Sequence, residues 1–222
     1  NGLFIAVGGT SQGTISTSPD GITWTSRTVA NNNGINAVTY GNGIFVAVGG
    51  GGAIQTSPDG INWTNKTSAN TSKVLYAVTY GNGVYVAVGA TGVIQSSTDA
   101  INWTSRTTAN NNAMNSVAYG NGLFVAVGDF GAIQTSTDGT TWLQRTSADS
   151  NSYQGVAYGY QPAVTFAFYQ TRGTTTPIPA SGDYRLLFSK TVPANTQVVD
   201  CADVMPALGV PMPNAGNTNG LG

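Results

Sequence analysis

Short apolar runs recur along this chain at a fixed interval, each bounded by Gly, Asn or Asp. One series reads LFIAVGG from Leu3, IFVAVGG from Ile44, VYVAVGA from Val84 and LFVAVGD from Leu123. A second reads AVTYGNG from Ala37 and again from Ala77, SVAYGNG from Ser116 and GVAYGY from Gly155. Between them fall SPDGITW at Ser18–Trp24, SPDGINW at Ser57–Trp63, STDAINW at Ser97–Trp103 and STDGTTW at Ser136–Trp142. Their leading serines are 39, 40 and 39 residues apart. β-Branched and aromatic residues fill the runs, and no stretch has a helical period. Each unit therefore predicts four short strands separated by turns.

A period near 40 with four strands per unit is the signature of a β-propeller blade. One such sheet cannot bury both faces alone, so blades pack around an axis. The expected fold is all-β: a propeller of four-stranded blades over residues 1–160, with a short non-repetitive β-rich extension over 161–222. The repeated segments resemble those of the Asp-box, or BNR, repeat propellers, whose motif is S-x-D-G-x-x-W. Three boxes match in full, and the third has Ala100 in place of Gly. The resemblance implies a structural corner built from Ser18, Asp20 and Trp24, Ser57, Asp59 and Trp63, Ser97, Asp99 and Trp103, and Ser136, Asp138 and Trp142. It does not imply one activity, because the repeat occurs in enzymes, receptors, adhesins and virion proteins alike.

The chemistry of the box is local. Each Asp can accept backbone N–H bonds in the turn between the third and fourth strands. Gly21, Gly60 and Gly139 supply a positive φ without steric cost. Each Trp is expected to fill the gap between neighbouring sheets. Arg27, Lys66, Arg106 and Arg145 follow the four Trp residues by three positions. They fall in the outermost strand, where charge discourages edge-to-edge pairing.

The first unit lacks its own AVTY strand, and the fourth copy of that strand, Gly155–Tyr158, has no unit after it. The expectation is that Gly155–Tyr158 completes the first blade and closes the ring. The alternative is an arc of a larger ring, completed by other residues or another chain. The opening at Asn1, in mid-pattern and without Met, reads as a processed or excised piece. In residues 161–222, Ala163–Gln170 and Asp183–Lys190 alternate like strands, Thr196–Cys201 suggests a third, and Thr174–Ala180 reads as a turn. From Asp203 onward the Pro-rich tail reads as extended chain, a docking segment for neighbouring subunits.

Composition removes most chemistry. The 222 residues hold 8 Lys and Arg against 9 acidic residues, giving a formal charge of −1. That balance argues against nucleic-acid binding, which needs a basic stripe. There is no His and no Glu, and only one Cys, Cys201. The usual general base and the commonest metal ligand are thus missing, and no metal or cofactor is expected. No apolar run approaches the roughly 20 residues that span a bilayer. The resemblance also raises a sialidase-type glycosidase, but that chemistry uses a Tyr activated by Glu.

What remains is a surface. The GNG hairpins and the boxes share one face of the disc and are nearly identical in every repeat. The opposite face varies, and its candidate ligand-binding residues are Asn31, Asn32, Asn33, Asn110, Asn111, Asn112, Asp129, Phe130 and Tyr153. Asn donates and accepts at once, which suits sugar hydroxyls, and an aromatic ring can stack on a sugar. Low charge and Gly/Asn/Thr/Ser richness resemble propeller modules of phage tail fibres and bacterial surface proteins. The expectation is a non-catalytic, extracellular structural or receptor-binding component of a phage tail or virion. Its partners would be other subunits, including copies of itself, and a cell-surface glycan. A secreted adhesin is the alternative.

Overall fold

The Asn-Gly pairs decide where each blade turns back. Asn42 and Gly43 have φ of 44° and 79°, Asn82 and Gly83 47° and 78°, and Asn121 and Gly122 48° and 77°. Two consecutive left-handed residues make the tight hairpin whose twist matches that of the strands it joins. The computed structural model describes residues 2–159, 164–171 and 184–192. It divides into two compact units, Asn1–Tyr158 and Gly159–Gly222.

The first unit is all-β and arranged as successive antiparallel blades. Blade 1 has three strands, β1 (Phe4–Gly8), β2 (Thr14–Ser18) and β3 (Thr25–Arg27). Blade 2 has four: β4 (Ile35–Gly41), β5 (Ile44–Gly49), β6 (Ile54–Ser57) and β7 (Thr64–Lys66). Blade 3 repeats this with β8 (Leu75–Gly81), β9 (Val84–Gly89), β10 (Ile94–Ser97) and β11 (Thr104–Ser105). Blade 4 comprises β12 (Met114–Gly120), β13 (Leu123–Gly128), β14 (Ile133–Ser136) and β15 (Leu143–Arg145). Registers repeat residue for residue: Val38 faces Ala47, Val78 faces Ala87 and Val117 faces Ala126.

The core lies between blades. Val46, Val48 and Ile54 of blade 2 pack on Leu75, Tyr85 and Trp103 of blade 3, all buried. Val86, Val88 and Ile94 of blade 3 meet Met114, Phe124 and Trp142 of blade 4 in the same way. Along the innermost strands of blades 3 and 4 the Tyr80 and Tyr119 rings each lie against a glycine of the preceding blade. A Cβ on Gly41 would stand 2.1 Å from Tyr80 Cγ, and one on Gly81 would stand 2.1 Å from Tyr119 Cγ. Only glycine leaves room for the ring.

Ala100 shows how far the box tolerates change. It takes the left-handed φ of 61° that Gly60 (73°) and Gly139 (70°) take in their blades. The conformation costs about 1 kcal/mol relative to Gly. Its methyl is buried in the core between blades 2 and 3, which returns about 0.8 kcal/mol. The two effects nearly cancel.

Two expectations fail here. Gly155–Tyr158 does not complete blade 1: among the described residues β1 pairs only with β2. Instead this segment lies on blade 4, where a Cβ on Gly120 would meet Tyr158 Cγ at 2.0 Å. It continues the series of Tyr-on-Gly contacts in the forward direction, because the packing of each innermost strand is set by the blade before it. The second failure is Trp24, which is 44% exposed, whereas Trp103 and Trp142 are 9% and 6% exposed. Trp24 belongs to the first described blade, and no earlier blade among the described residues covers it.

In the second unit β16 (Val164–Thr171) pairs antiparallel with β17 (Tyr184–Val192), with a register shift between Phe168 and Tyr169. The turn expected over 174–180, the third strand over 196–201, Cys201 and the Pro-rich tail lie outside the described residues.

Candidate functional site

The repeated face is built from four nearly identical corners. In each, a Ser hydroxyl donates to the Asp two residues on: Ser18 to Asp20 at 2.8 Å, Ser57 to Asp59 at 2.8 Å, Ser97 to Asp99 at 2.9 Å, Ser136 to Asp138 at 2.9 Å. One oxygen of each Asp then accepts two successive backbone N–H groups. They come from Ile22 and Thr23, Ile61 and Asn62, Ile101 and Asn102, and Thr140 and Thr141, at 2.7–2.9 Å. Asn62 and Asn102 add a side-chain bond to the second carboxylate oxygen, each at 2.8 Å. The indole N–H of Trp24, Trp63 and Trp103 donates to the carbonyl of residue 21, 60 and 100 of its own turn.

These bonds favour the ionised carboxylates. The backbone N–H of the third residue after each Asp is the largest cause, and all four carboxyls sit well below the usual carboxylate range. A group so depressed is a poor general acid. Folding then binds these carboxyls in a form the unfolded chain loses only near pH 4. Their contribution is complete above that pH and is lost as the pH falls toward the folded-state values. The melting temperature should therefore hold between pH 7 and 5 and drop below about pH 4, with a shallower drop in Asp138→Asn. A melting temperature unchanged to pH 2 would contradict this role.

The basic residues do not converge. Arg27 Nε donates to Thr17 Oγ1 at 2.8 Å, Arg106 Nε to Ser96 Oγ at 2.7 Å and Arg145 Nε to Thr135 Oγ1 at 2.8 Å. Each is held by a hydroxyl of the neighbouring strand in its own blade, an arrangement that braces the outer strand.

The variable face is assembled from two kinds of loop. One is a three-residue 3-10 turn between the second and third strands, at Gly50–Gly52, Ala90–Gly92 and Asp129–Gly131. The other is the connection between blades. Each turn is tied to the incoming connection by Gly50 N to Gly34 O, Ala90 N to Val74 O and Asp129 N to Ala113 O, at 2.8–2.9 Å. Gln55, Gln95 and Gln134, all buried, accept from the backbone N–H of Ala30, Ala69 and Ala109 and fix the same connections.

The predicted Asn residues divide between two roles. Asn31 Nδ2 donates to Asn65 Oδ1 at 2.6 Å, and Asn110 Nδ2 to Gln144 Oε1 at 2.8 Å. Both clasp one blade to the outer strand of the next. Asn33 N donates to Asn31 Oδ1, and Asn112 N to Asn110 Oδ1, each at 3.1 Å. Of the predicted Asn residues in these connections, Asn32, Asn33 and Asn111 are exposed.

Asp129, Phe130 and Tyr153 do come together. Asp129 Oδ1 accepts from Asn115 Nδ2 at 2.9 Å, and the same nitrogen reaches Tyr153 O at 3.0 Å. The Tyr153 hydroxyl lies 2.8 Å from Ser147 Oγ, and Gly131 N donates to Asn151 O at 2.9 Å. On this braced platform Phe130 is 74% exposed at φ 54°, ψ 38°. The equivalent left-handed positions hold Gly51 and Thr91. A bulky residue there costs about 1–2 kcal/mol, and exposure gives no burial in return. Asn115 was not among the sequence-predicted residues. Its only signal is its place before the repeated S/A-V-x-Y segment, where a register shift between Met114 and Ser116 turns it out of the ladder.

Successive four-stranded blades, Tyr-on-Gly inner strands and corner turns on one face make this chain a β-propeller. Several solved structures are similar to it. YCF48 from Cyanidioschyzon merolae is similar at 16% identity with a TM-score of 0.51, over 82% of this chain and 71% of that one. YCF48 bound to a D1 peptide is similar at 20% identity (TM-score 0.49), over 64% and 50% of the two chains. The WD40 β-propeller domain of Doa1 is similar at 10% identity (TM-score 0.49), over 68% and 53%. This chain thus spans about half the length of the latter two. Identities this low make the likeness one of fold. No protein-family model and no curated protein matches the sequence.

Proposed function

We propose that this protein is a non-catalytic, extracellular binding module of the Asp-box type, a structural or receptor-binding component of a phage tail or virion. The variable face of blade 4 engages a cell-surface glycan. The observation that carries this reading is Phe130, a strained and exposed aromatic held on a braced turn where the other blades carry Gly and Thr. Backbone strain of this kind persists where the surroundings over-determine it, and it gathers at ligand sites. An exposed ring beside Asp129, with Asn and Ser groups around it, offers a sugar both a stacking face and acceptors. The four box carboxylates are committed to backbone N–H groups, which supports a scaffold role for the opposite face.

Phe130→Gly separates binding from folding. The variant should bind glycan about tenfold more weakly, the equivalent of 1.4 kcal/mol. It should also be about 1 kcal/mol more stable, because the left-handed strain is relieved. A glycan array followed by calorimetry on the best ligand measures the first, and urea denaturation the second. Equal affinity in the two proteins would refute the site. A wild-type chain that binds no glycan on the array would refute the ligand class.

A further inference from the structure

The two ends of the propeller unit are complementary surfaces, and the geometry points to a head-to-tail ring of two copies of this chain. The innermost segment 155–159 of each copy completes the three-stranded first blade of the other. This inference stands apart from the glycan reading, since neither surface belongs to the variable face of blade 4.

Three repeats within the chain already show the contact. In each complete blade the innermost strand pairs with the next in one register: Tyr40 faces Phe45, Tyr80 faces Tyr85 and Tyr119 faces Phe124. The segment Gly155–Gly159 carries the same pattern, GVAYG, but among the described residues it pairs with no strand. At the other end, the inner edge of β1 has no partner among the described residues, and Phe4, the counterpart of Phe45, is 58% exposed. Transposing the register places Tyr158 opposite Phe4 and Val156 opposite Ala6. It also seats Tyr40 of one copy on Gly159 of the other, as Tyr80 sits on Gly41. Tyr40 is 57% exposed, and a Cβ on Gly159 would meet nothing within 4 Å among the described residues.

The blade faces match as well. Within the chain, Val84 and Val86 of one blade receive the turn glycine Gly139 and the ring of Phe124 from the next. Their counterparts on blade 4, Leu123 and Val125, are only half-buried and line an apolar groove of about 240 Å³ with Val156 and Tyr158. The turn and ring that fit such a groove are Gly21 and Phe4, and both are exposed on blade 1. An unpaired strand edge beside an apolar face is a template for another chain. A head-to-tail contact that closes leaves neither exposed, and two copies form the smallest such ring.

The test uses the full chain with Ala6→Cys and Val156→Cys, and with Cys201→Ser to remove the native thiol. Oxidation should give a covalent species of twice the chain mass on a non-reducing gel, because the two positions become cross-strand neighbours. A cross-linked species of single-chain mass would mean that each chain closes on itself, and would overturn the proposal. A ladder of higher multiples would mean an open filament, and no cross-link would mean no such contact; either overturns it. Gly159→Val gives a second reading by light scattering. Its side chain meets nothing among the described residues of one copy but collides with Tyr40 of the other, so the mass should fall from two chains to one with an unchanged far-ultraviolet circular dichroism spectrum. A wild-type mass of one chain at micromolar concentration, or an undiminished mass in Gly159→Val, would refute the ring.

Discussion

Gly89→Ala is expected to destabilise the propeller by about 3 kcal/mol or more, beyond the range of ordinary substitutions. Gly89 has an extended backbone that any residue adopts (φ −175°), so conformational freedom is not the reason for glycine here. The reason is contact. A Cβ on Gly89 would stand 2.0 Å from Val74 O and 2.9 Å from Leu75 Cα, both backbone atoms. Val74 O cannot yield, because it accepts the Ala90 N–H at 2.9 Å and anchors the blade connection. Gly49 and Gly128 stand in the same relation to Gly34 O and Ala113 O, each at 1.9 Å. Gly83→Ala is the control. Nothing among the described residues lies within 4 Å of its Cβ, but φ is 78°, so the cost is the left-handed one of about 1 kcal/mol. Urea unfolding of the two variants measures the difference. Equal losses would mean that the close backbone approach carries no stability.

Trp142→Ala should cost about 3–5 kcal/mol, whereas Trp24→Ala should cost under about 1 kcal/mol in the single chain. The two residues hold the same place in the repeat. Trp142 is buried among Val86, Val88 and Phe124, with its ring 6.4 Å from that of Phe124, so truncation leaves a cavity between two blades. Its indole N–H has no hydrogen-bond partner among the described residues, so its removal strands no acceptor there and the loss is one of packing. Among the described residues no blade covers Trp24, and much of its surface already faces water. If the two-copy ring forms, the loss at Trp24 appears in self-association and leaves the unfolding of the single chain unchanged. Thermal denaturation read by circular dichroism, together with mass at several concentrations, separates the two effects. A Trp142→Ala variant as stable as Trp24→Ala would refute the inter-blade core described here.

Much of the candidate site was legible where the chemistry is local. An Asp two residues after a Ser and ahead of two free N–H groups makes the same corner wherever it occurs, so Asp20, Asp59, Asp99 and Asp138 were readable as turn caps. Asp129, Phe130 and Tyr153 were readable as loop residues of the variable face. Their convergence was not readable, because it depends on Asn115, whose amide reaches Asp129 and Tyr153 only after the register shift in β12. The Asn runs illustrate the opposite error. Asn31 and Asn110 looked free in sequence, yet their amides are taken by residues 34 positions away in the next blade.

The strands, hairpins and corners of this protein follow from the sequence alone, because they depend on alternation, on Asn-Gly pairs and on side chains bonding a few residues along. Four aligned copies made the propeller readable too, since a repeated sheet must stack on its own kind. The direction in which the last inner segment packs was decided only by tertiary structure. Sequence spacing favoured a ring closed by Gly155–Tyr158 returning to the first blade. The stacking of Tyr80, Tyr119 and Tyr158 on glycines of the blades before them carries that segment forward onto blade 4 and leaves the inner edge of β1 without a partner among the described residues. Spacing counts strands, but whether a ring closes depends on the angle between packed blades, which no local pattern encodes.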